Sequence, residues 1–126
     1  MNLNKLYWLK REVTQIEEQI KELTILSAVQ MSGMPSGNSV SAPVEQYFAR
    51  LDKLKTKLEK AKDKVLKETE ILEQYIENIE DSEIRVIARA RFLECKKWEA
   101  IGRENHMERT TASKKLKKYL ERDGQQ

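Results

Sequence analysis

Apolar residues recur at intervals of three and four along most of the chain, which is the spacing of one face of an α-helix. Between about Leu3 and Gln30 they fall at Leu6, Leu9, Val13, Ile16, Ile20 and Leu23. This 3,4,3,4,3 spacing is a heptad pattern, and a helix that carries it needs a partner helix to cover its apolar stripe. We therefore predict a first long helix that packs against another helix.

A second heptad pattern begins near Pro43 and continues to about Glu80. Proline is favourable in the first turn of a helix, where its missing N–H removes no hydrogen bond. The apolar stripe of this segment consists of Val44, Phe48, Leu51, Leu54, Leu58, Ala61, Val65, Thr69, Leu72, Ile76 and Ile79. Glycine, proline and serine are concentrated between the two patterns, so a loop is predicted at about 31–42. The two helices are expected to form a long antiparallel hairpin or coiled coil.

Three shorter helical patterns follow between residues 81 and 122. Asp81 or Ser82 can cap the first of them. The second reads Trp98-Glu99-Ala100-Ile101-Gly102-Arg103-Glu104, and the third extends from Thr110 to Leu120. Residues 105–108 are predicted to form the turn, and Gly102 is expected to let the last two helices approach closely. A short helix, a tight turn and a basic helix are typical of a helix-turn-helix, whose last helix enters the major groove of DNA.

The predicted third helix of this unit has an apolar side and a polar side. Ala112, Leu116, Tyr119 and Leu120 share the apolar side at helical spacing, and we expect them to pack with Trp98, Ile101, Phe92 and Leu93. The residues that we predict to bind DNA lie on the remaining surface: Arg109, Thr110, Thr111, Ser113, Lys114, Lys115, Lys117 and Lys118. The hydroxyl residues and Lys114 lie at the N-terminal end, where base edges are read. The other lysines suit phosphates.

Composition and charge agree with this pattern. Of the 126 residues, 36% are charged and only four are glycine, which favours an all-α fold of amphipathic helices over a sheet. The net charge of +3 is unevenly distributed, because acidic residues dominate positions 67–81 and basic residues dominate positions 109–122. A basic run in the last helix of a helix-turn-helix pattern indicates contact with phosphates.

The residues that carry most enzyme and metal chemistry are scarce. Cys95 is the only cysteine and His106 the only histidine, and neither has a partner at ligand or catalytic spacing. Gly33 and Gly37 lack the Gly-Lys-Ser/Thr ending of a phosphate-binding loop. A lone cysteine fits a reducing cytoplasm, and no apolar run reaches the length of a membrane span. We therefore expect a cytoplasmic protein without enzymatic activity, metal, cofactor or membrane association.

Two segments resemble a known family. Arg89-Ala90-Arg91-Phe92, followed by Trp98-Glu99-Ala100-Ile101-Gly102 and a basic helix, is similar to the region-4-like helix-turn-helix of sigma factors. Together with the loop Met31-Ser32-Gly33-Met34-Pro35-Ser36-Gly37, this unit resembles phage- and prophage-encoded transcriptional regulators of the RinA/ArpU type. The resemblance covers nearly the whole chain. It implies a protein that regulates phage genes in the cytoplasm of a bacterial host cell, with DNA contacts at Arg109, Thr110, Thr111, Ser113 and Lys114.

Three residues of the turn differ from the pattern of that family. Asn105 stands where a core leucine is usual, His106 where a glycine usually makes the turn, and Glu108 where a serine or threonine usually caps the last helix. The first two residues bear on the geometry of the turn, and Glu108 places a negative charge near the expected DNA face.

The sequence as a whole predicts a DNA-binding transcription regulator with duplex DNA as its partner. Its expected domains are a helical hairpin over residues 1–80, a helix-turn-helix unit over 81–122 and a disordered tail at 123–126. Because two copies of a helix-turn-helix commonly bind paired half-sites, we expect a homodimer. Three alternatives remain: a small-terminase-like DNA packaging protein, a coiled-coil adaptor that binds only protein, and a protein that docks on RNA polymerase through the sigma-like unit.

Overall fold

A computed structural model describes residues 2–32 and 41–124 of the protein. All regular structure in these residues is helical, and it consists of α1 (Lys5–Ser32), α2 (Ser41–Glu77), α3 (Ser82–Ala88), a π-helical turn (Arg89–Leu93), α4 (Trp98–Glu104) and α5 (Arg109–Arg122). The predicted all-α fold, with a long helical pair and a C-terminal helix-turn-helix unit, is confirmed. The predicted loop at about 31–42 falls largely on residues 33–40, which lie outside the described ones.

The described chain forms two compact units. One comprises Leu9–Lys64, and the other contains the remaining described residues at both ends of the chain. This division falls inside α1 and α2 and differs from the domain boundary expected near residue 80. The reason is that Leu72, Ile76 and Ile79 pack into the core of the C-terminal helices. The end of α2 is therefore an integral part of the helix-turn-helix unit.

The Leu9–Lys64 unit is a pair of helices joined along one apolar seam. Ile16 of α1 and Ala61 of α2 are buried, with exposed fractions of 6% and 7%. The other residues of the predicted stripes in this seam are half-buried: Leu9, Val13, Ile20, Leu23, Val44, Leu51, Leu54 and Leu58. Phe48 was wrongly placed in the stripe, since its side chain is 54% exposed. The adjacent Tyr47 fits the same heptad spacing and is half-buried in its place.

The second unit has a larger core, to which both ends of the chain contribute. Its most deeply buried side chains come from all five α-helices and from the link between α2 and α3, where Ile79 lies: Leu6, Leu72, Ile76, Ile79, Ile87, Ile101 and Leu116. The expected packing of the last helices is confirmed, because Phe92, Leu93 and Ala112 are buried in this core. Trp98, Tyr119 and Leu120 are half-buried against it. The salt bridge of Lys5 with the buried Glu68, 3.9 Å long, also joins α1 to α2 within this unit.

Helix α3 begins where the sequence predicted and then changes its winding. The Oδ1 atom of Asp81 accepts hydrogen bonds from the backbone N–H groups of Glu83 and Ile84 at 2.9 and 3.4 Å, which caps the helix. After Ala88 the chain widens into the π-helical turn, closed by the N–H of Glu94 donating to the carbonyl oxygen of Arg89 at 3.0 Å. Such turns are rare and often lie at functional sites.

Helix α4 lies very close to the backbone that follows it. A Cβ atom added to Gly102 would lie 2.6 Å from the carbonyl oxygen of Met107 and 3.0 Å from the amide nitrogen of Arg109. Backbone atoms cannot rotate out of the way as the end of a side chain can. The predicted role of Gly102, to let α4 and α5 approach closely, is thus confirmed.

We expect Gly102→Ala to destabilise the protein by about 2 kcal/mol. Overpacking costs up to about 3 kcal/mol, and the better helix propensity of alanine offsets only about 1 kcal/mol of it. Urea unfolding of the full chain measures the effect. Arg103→Ala, at the exposed neighbouring position, is the control and should change the free energy of unfolding by less than about 0.5 kcal/mol. A Gly102→Ala variant as stable as this control would contradict the close approach.

Candidate nucleic-acid interface

The turn between α4 and α5 is a Schellman motif, a common way for a helix to end. The N–H of Met107 donates to the carbonyl oxygen of Gly102 at 2.9 Å, and the N–H of His106 donates to that of Arg103 at 3.4 Å. His106 has a φ of 55°, which is the left-handed conformation that glycine adopts most easily. The turn predicted at residues 105–108 is therefore confirmed. His106 occupies its left-handed position, which is unfavourable for a residue that has a Cβ atom.

The other two unusual turn residues have opposite consequences. Asn105 is half-buried, and its side-chain amide donates to the carbonyl oxygen of Ile101 at 2.8 Å, so a polar residue is satisfied at this position. Glu108 directly precedes α5, but its side chain makes no capping hydrogen bond. Helix α5 therefore begins without the stabilisation of about 1 kcal/mol that a serine or threonine cap supplies.

Helix α5 is fixed to the unit along its inner side and at its C-terminal end. Ala112 and Leu116 are buried, with exposed fractions of 0% and 2%. The hydroxyl of Tyr75 on α2 donates to Oδ2 of Asp123 at 2.6 Å, just after the helix ends. Burial, followed by this hydrogen bond, raises the pKa of Tyr75 above its ordinary value. Asp123, the first residue of the tail expected to be disordered, is thus bound to α2.

A groove separates α5 from the π-helical turn and the start of α4. One part of it is lined by Arg91, Lys97, Trp98, Glu99, Arg109, Thr110, Ser113 and Lys114. A second part shares Arg91, Trp98 and Ser113 with the first and continues to Lys117. We call this surface the α5 groove. It brings together five of the eight predicted DNA-binding residues: Arg109, Thr110, Ser113, Lys114 and Lys117.

The remaining three predicted residues, Thr111, Lys115 and Lys118, do not line the α5 groove. The Nζ atom of Lys115 lies 2.6 Å from Oε1 of Glu83 on α3, on the opposite flank of α5. Each residue advances about 100° around an α-helix, so neighbours such as Lys114 and Lys115 point to different sides. The sequence placed all eight residues on one polar surface, whereas the fold brings five of them together in the α5 groove and places Lys115 on the opposite flank.

The α5 groove also contains two cations that we did not predict as DNA contacts. The guanidinium carbon of Arg91 lies 4.9 Å from the centre of the Trp98 ring. Its Nη1 atom also donates to the carbonyl oxygen of Lys96 at 3.1 Å. Lys97 is exposed and directly precedes α4. Lys97 is next to Trp98 in sequence, but Arg91 belongs to the π-helical turn, which is not visible in the apolar spacing.

Within the α5 groove, the carboxylate of Glu99 pairs directly with a predicted DNA-binding residue. Oε1 of Glu99 lies 3.3 Å from Nη1 of Arg109, and the two side chains are 70% and 65% exposed. An ion pair this exposed contributes at most about 1 kcal/mol. A phosphate that approaches the groove can therefore replace Glu99 as the partner of Arg109. Glu108 and Glu121 add two more exposed negative charges at the two ends of α5.

Metal-binding clusters and membrane-spanning helices are not found in the part of the chain that the structure describes. No group of three or more His, Cys, Asp or Glu side chains is arranged to hold a metal ion within residues 2–32 and 41–124. No helix within these residues is long and apolar enough to cross a bilayer.

Comparison with known proteins gives no family assignment. The chain matches no protein-family model, and neither a curated protein nor a solved structure is detectably similar to it. A functional proposal therefore has to rest on the geometry and charge of the α5 groove.

We expect His106→Gly to stabilise the protein by about 0.5–1 kcal/mol. Glycine removes the steric cost of the left-handed backbone, about 1–2 kcal/mol, and adds a smaller entropic cost of about 0.4–1 kcal/mol in the unfolded chain. Urea unfolding measures the change. Arg103→Gly places the same residue inside α4, where it should instead cost about 1 kcal/mol. If the two substitutions shift stability in the same direction, His106 is not in the left-handed conformation.

Proposed function

We propose that the protein is a non-enzymatic, phage-type transcription regulator that inserts α5 into the major groove of duplex DNA. The observation that carries this proposal is the α5 groove, in which Thr110, Ser113 and Lys114 lie beside several cations on the accessible side of the helix. Helix α5 has 14 residues and is about 21 Å long. An α-helix of this kind fits the major groove of B-DNA, which is about 12 Å wide.

The N-terminal half of α5 has the chemistry needed to read base edges. Serine and threonine hydroxyls both donate and accept hydrogen bonds, and a lysine donates to the acceptor atoms of guanine. Thr110, Ser113 and Lys114 all line the groove. Substitution of these residues should change which sequences are preferred, because base contacts carry the sequence information.

The cations around these residues are suited to phosphates. Lys97 lies at the start of α4, Arg109 at the start of α5 and Lys117 further along it. Phosphate contacts orient a protein on the duplex and supply most of its salt-dependent affinity. Lys115 should contribute less, since Glu83 already holds its ammonium group at 2.6 Å.

The remaining parts of the proposal concern partners and location. A homodimer would place two copies of α5 on paired half-sites about one helical turn apart. The Leu9–Lys64 unit is the candidate dimer region, because Ile25, Leu26 and Phe48 on its surface are more than half exposed. Regulation of phage genes in the bacterial cytoplasm rests on the resemblance to RinA/ArpU-type regulators, and contact with RNA polymerase rests on the resemblance of the C-terminal unit to a sigma-factor domain.

A salt titration of DNA binding tests the proposal. The wild-type chain is compared with Lys114→Gln/Lys117→Gln over about 50–200 mM salt on a duplex containing sites selected from a random pool. If both lysines bind phosphates or bases as charged groups, the slope of log K against log salt should become smaller by up to about 1.8, or about 0.9 for each lysine replaced. The double variant Lys55→Gln/Lys62→Gln on α2 removes the same charge and should leave the slope unchanged.

Two results would contradict DNA binding through the α5 groove. One is the absence of binding by the wild-type chain at the lowest salt concentration. The other is that the α5 variant and the α2 control bind DNA equally well. Binding would then depend only on the net charge of the protein and not on where the lysines lie. A chain that binds no DNA and copurifies with RNA polymerase would instead support the docking alternative.

A further inference from the structure

Helix α2 carries a continuous row of cations on one flank. Arg50, Lys53, Lys57, Lys60 and Lys64 follow one another at steps of 3,4,3,4. All five side chains are exposed, and all belong to the Leu9–Lys64 unit. Because these steps match the helical repeat, the five residues share one side of the helix over about 21 Å. We call this surface the α2 basic row.

The other flank of the same helical segment has no such excess of charge. Asp52, Lys55, Glu59 and Lys62 follow one another at steps of 3,4,3 and alternate in sign. An ordinary solvated surface mixes positive and negative side chains in this way. Solvation of the helix surface therefore explains the charges of the alternating flank. It does not explain five cations in a row on the opposite flank.

The cations of the α2 basic row are not neutralised within the described chain. None of them forms an ion pair with a residue in the ranges 2–32 or 41–124. Arg50 and Lys53 line a groove shared with α1, and Glu22 lies on its opposite wall without pairing with either of them. Like charges three or four residues apart destabilise a helix by about 0.2–0.5 kcal/mol per pair. An anionic partner would relieve this repulsion.

We propose that the α2 basic row is a second contact surface for duplex DNA, which binds the phosphate backbone without reading sequence. Each strand carries a charge about every 3.4 Å along the duplex axis while it winds around that axis, so a straight row of about 21 Å can face a few phosphates of a duplex laid against it. Four of the five cations are lysines, which act as flexible point charges and suit phosphates.

Duplex DNA fits this surface better than a single strand does. Surfaces that bind single strands combine cations with aromatic side chains on which the bases stack. No aromatic residue lies between Arg50 and Lys64. The contact also requires nothing from α5, so it can be tested separately from the proposed helix-turn-helix function.

The test uses the full chain, a fluorescent mixed-sequence duplex several helical turns long, and two charge-matched double variants. Lys53→Gln/Lys60→Gln removes two cations of the α2 basic row, seven residues apart. Lys55→Gln/Lys62→Gln removes two exposed lysines of the alternating flank at the same separation. Glutamine and lysine have similar helix propensities, so α2 is preserved in both variants, and circular dichroism checks this.

We expect the salt dependence of binding to separate the two variants. The slope of log K against log salt should become smaller by about 1.8 for Lys53→Gln/Lys60→Gln, or about 0.9 for each phosphate that is no longer neutralised, and should not change for Lys55→Gln/Lys62→Gln. Equal slopes for the two variants would overturn the proposal, whether both fall or neither does.

Two further outcomes show which of the two proposed DNA contacts is wrong. If Lys53→Gln/Lys60→Gln leaves the slope unchanged but abolishes self-association in a low-salt sedimentation experiment, the row binds a second copy of the chain and the DNA proposal is wrong. If this variant lowers the slope while Lys114→Gln/Lys117→Gln does not, the α2 basic row stands as a DNA contact and the proposed role of α5 fails.

Discussion

The close contact between Gly102 and the backbone of residues 107–109 is the constraint on which the geometry of the α5 groove depends. Because α4 lies directly against the turn, with 2.6 Å between an added Cβ atom and the Met107 carbonyl oxygen, α5 leaves the turn in a fixed direction. The buried Leu116 and the bond from Tyr75 to Asp123 hold the rest of the helix in that direction. Together these contacts place Ser113 in the same groove as Trp98.

The distribution of charge suggests a division of roles between the two proposed DNA surfaces. The α5 groove mixes cations with Glu99, and Glu108 lies just before the helix, so its attraction to any phosphate backbone is moderated. Moderate general affinity favours discrimination between sequences, because specificity is a difference between affinities. Glu22 of α1 shares a groove with Arg50 and Lys53 of the α2 basic row, but no cation of the row pairs with a carboxylate within residues 2–32 and 41–124. In this account the row supplies affinity without sequence information, and α5 supplies the sequence information.

Much of the fold was predictable because heptad spacing reports directly which side of a helix is buried. Ile16, Ala61 and Leu116 were assigned to apolar sides by their spacing, and all three are buried. The division of the chain was not predictable in this way, since the heptad stripe of α2 continues without a break through Lys64 and Val65, where the boundary between the two units falls. The grouping of the site residues was also missed. Lys115 pairs with Glu83, 32 residues earlier in the chain, and the π-helical turn that presents Arg91 has no signature in apolar spacing.

Backbone amide shifts, measured while duplex DNA containing a selected site is added to the isotope-labelled chain, test the central claim most directly. If α5 occupies the major groove, the largest changes should fall on residues 97–99 and 109–117, which line or border the α5 groove. A second, weaker set is expected along Arg50 to Lys64. Changes confined to α1 and α2, with residues 109–117 unaffected, would contradict the account, because DNA would then bind without the helix-turn-helix.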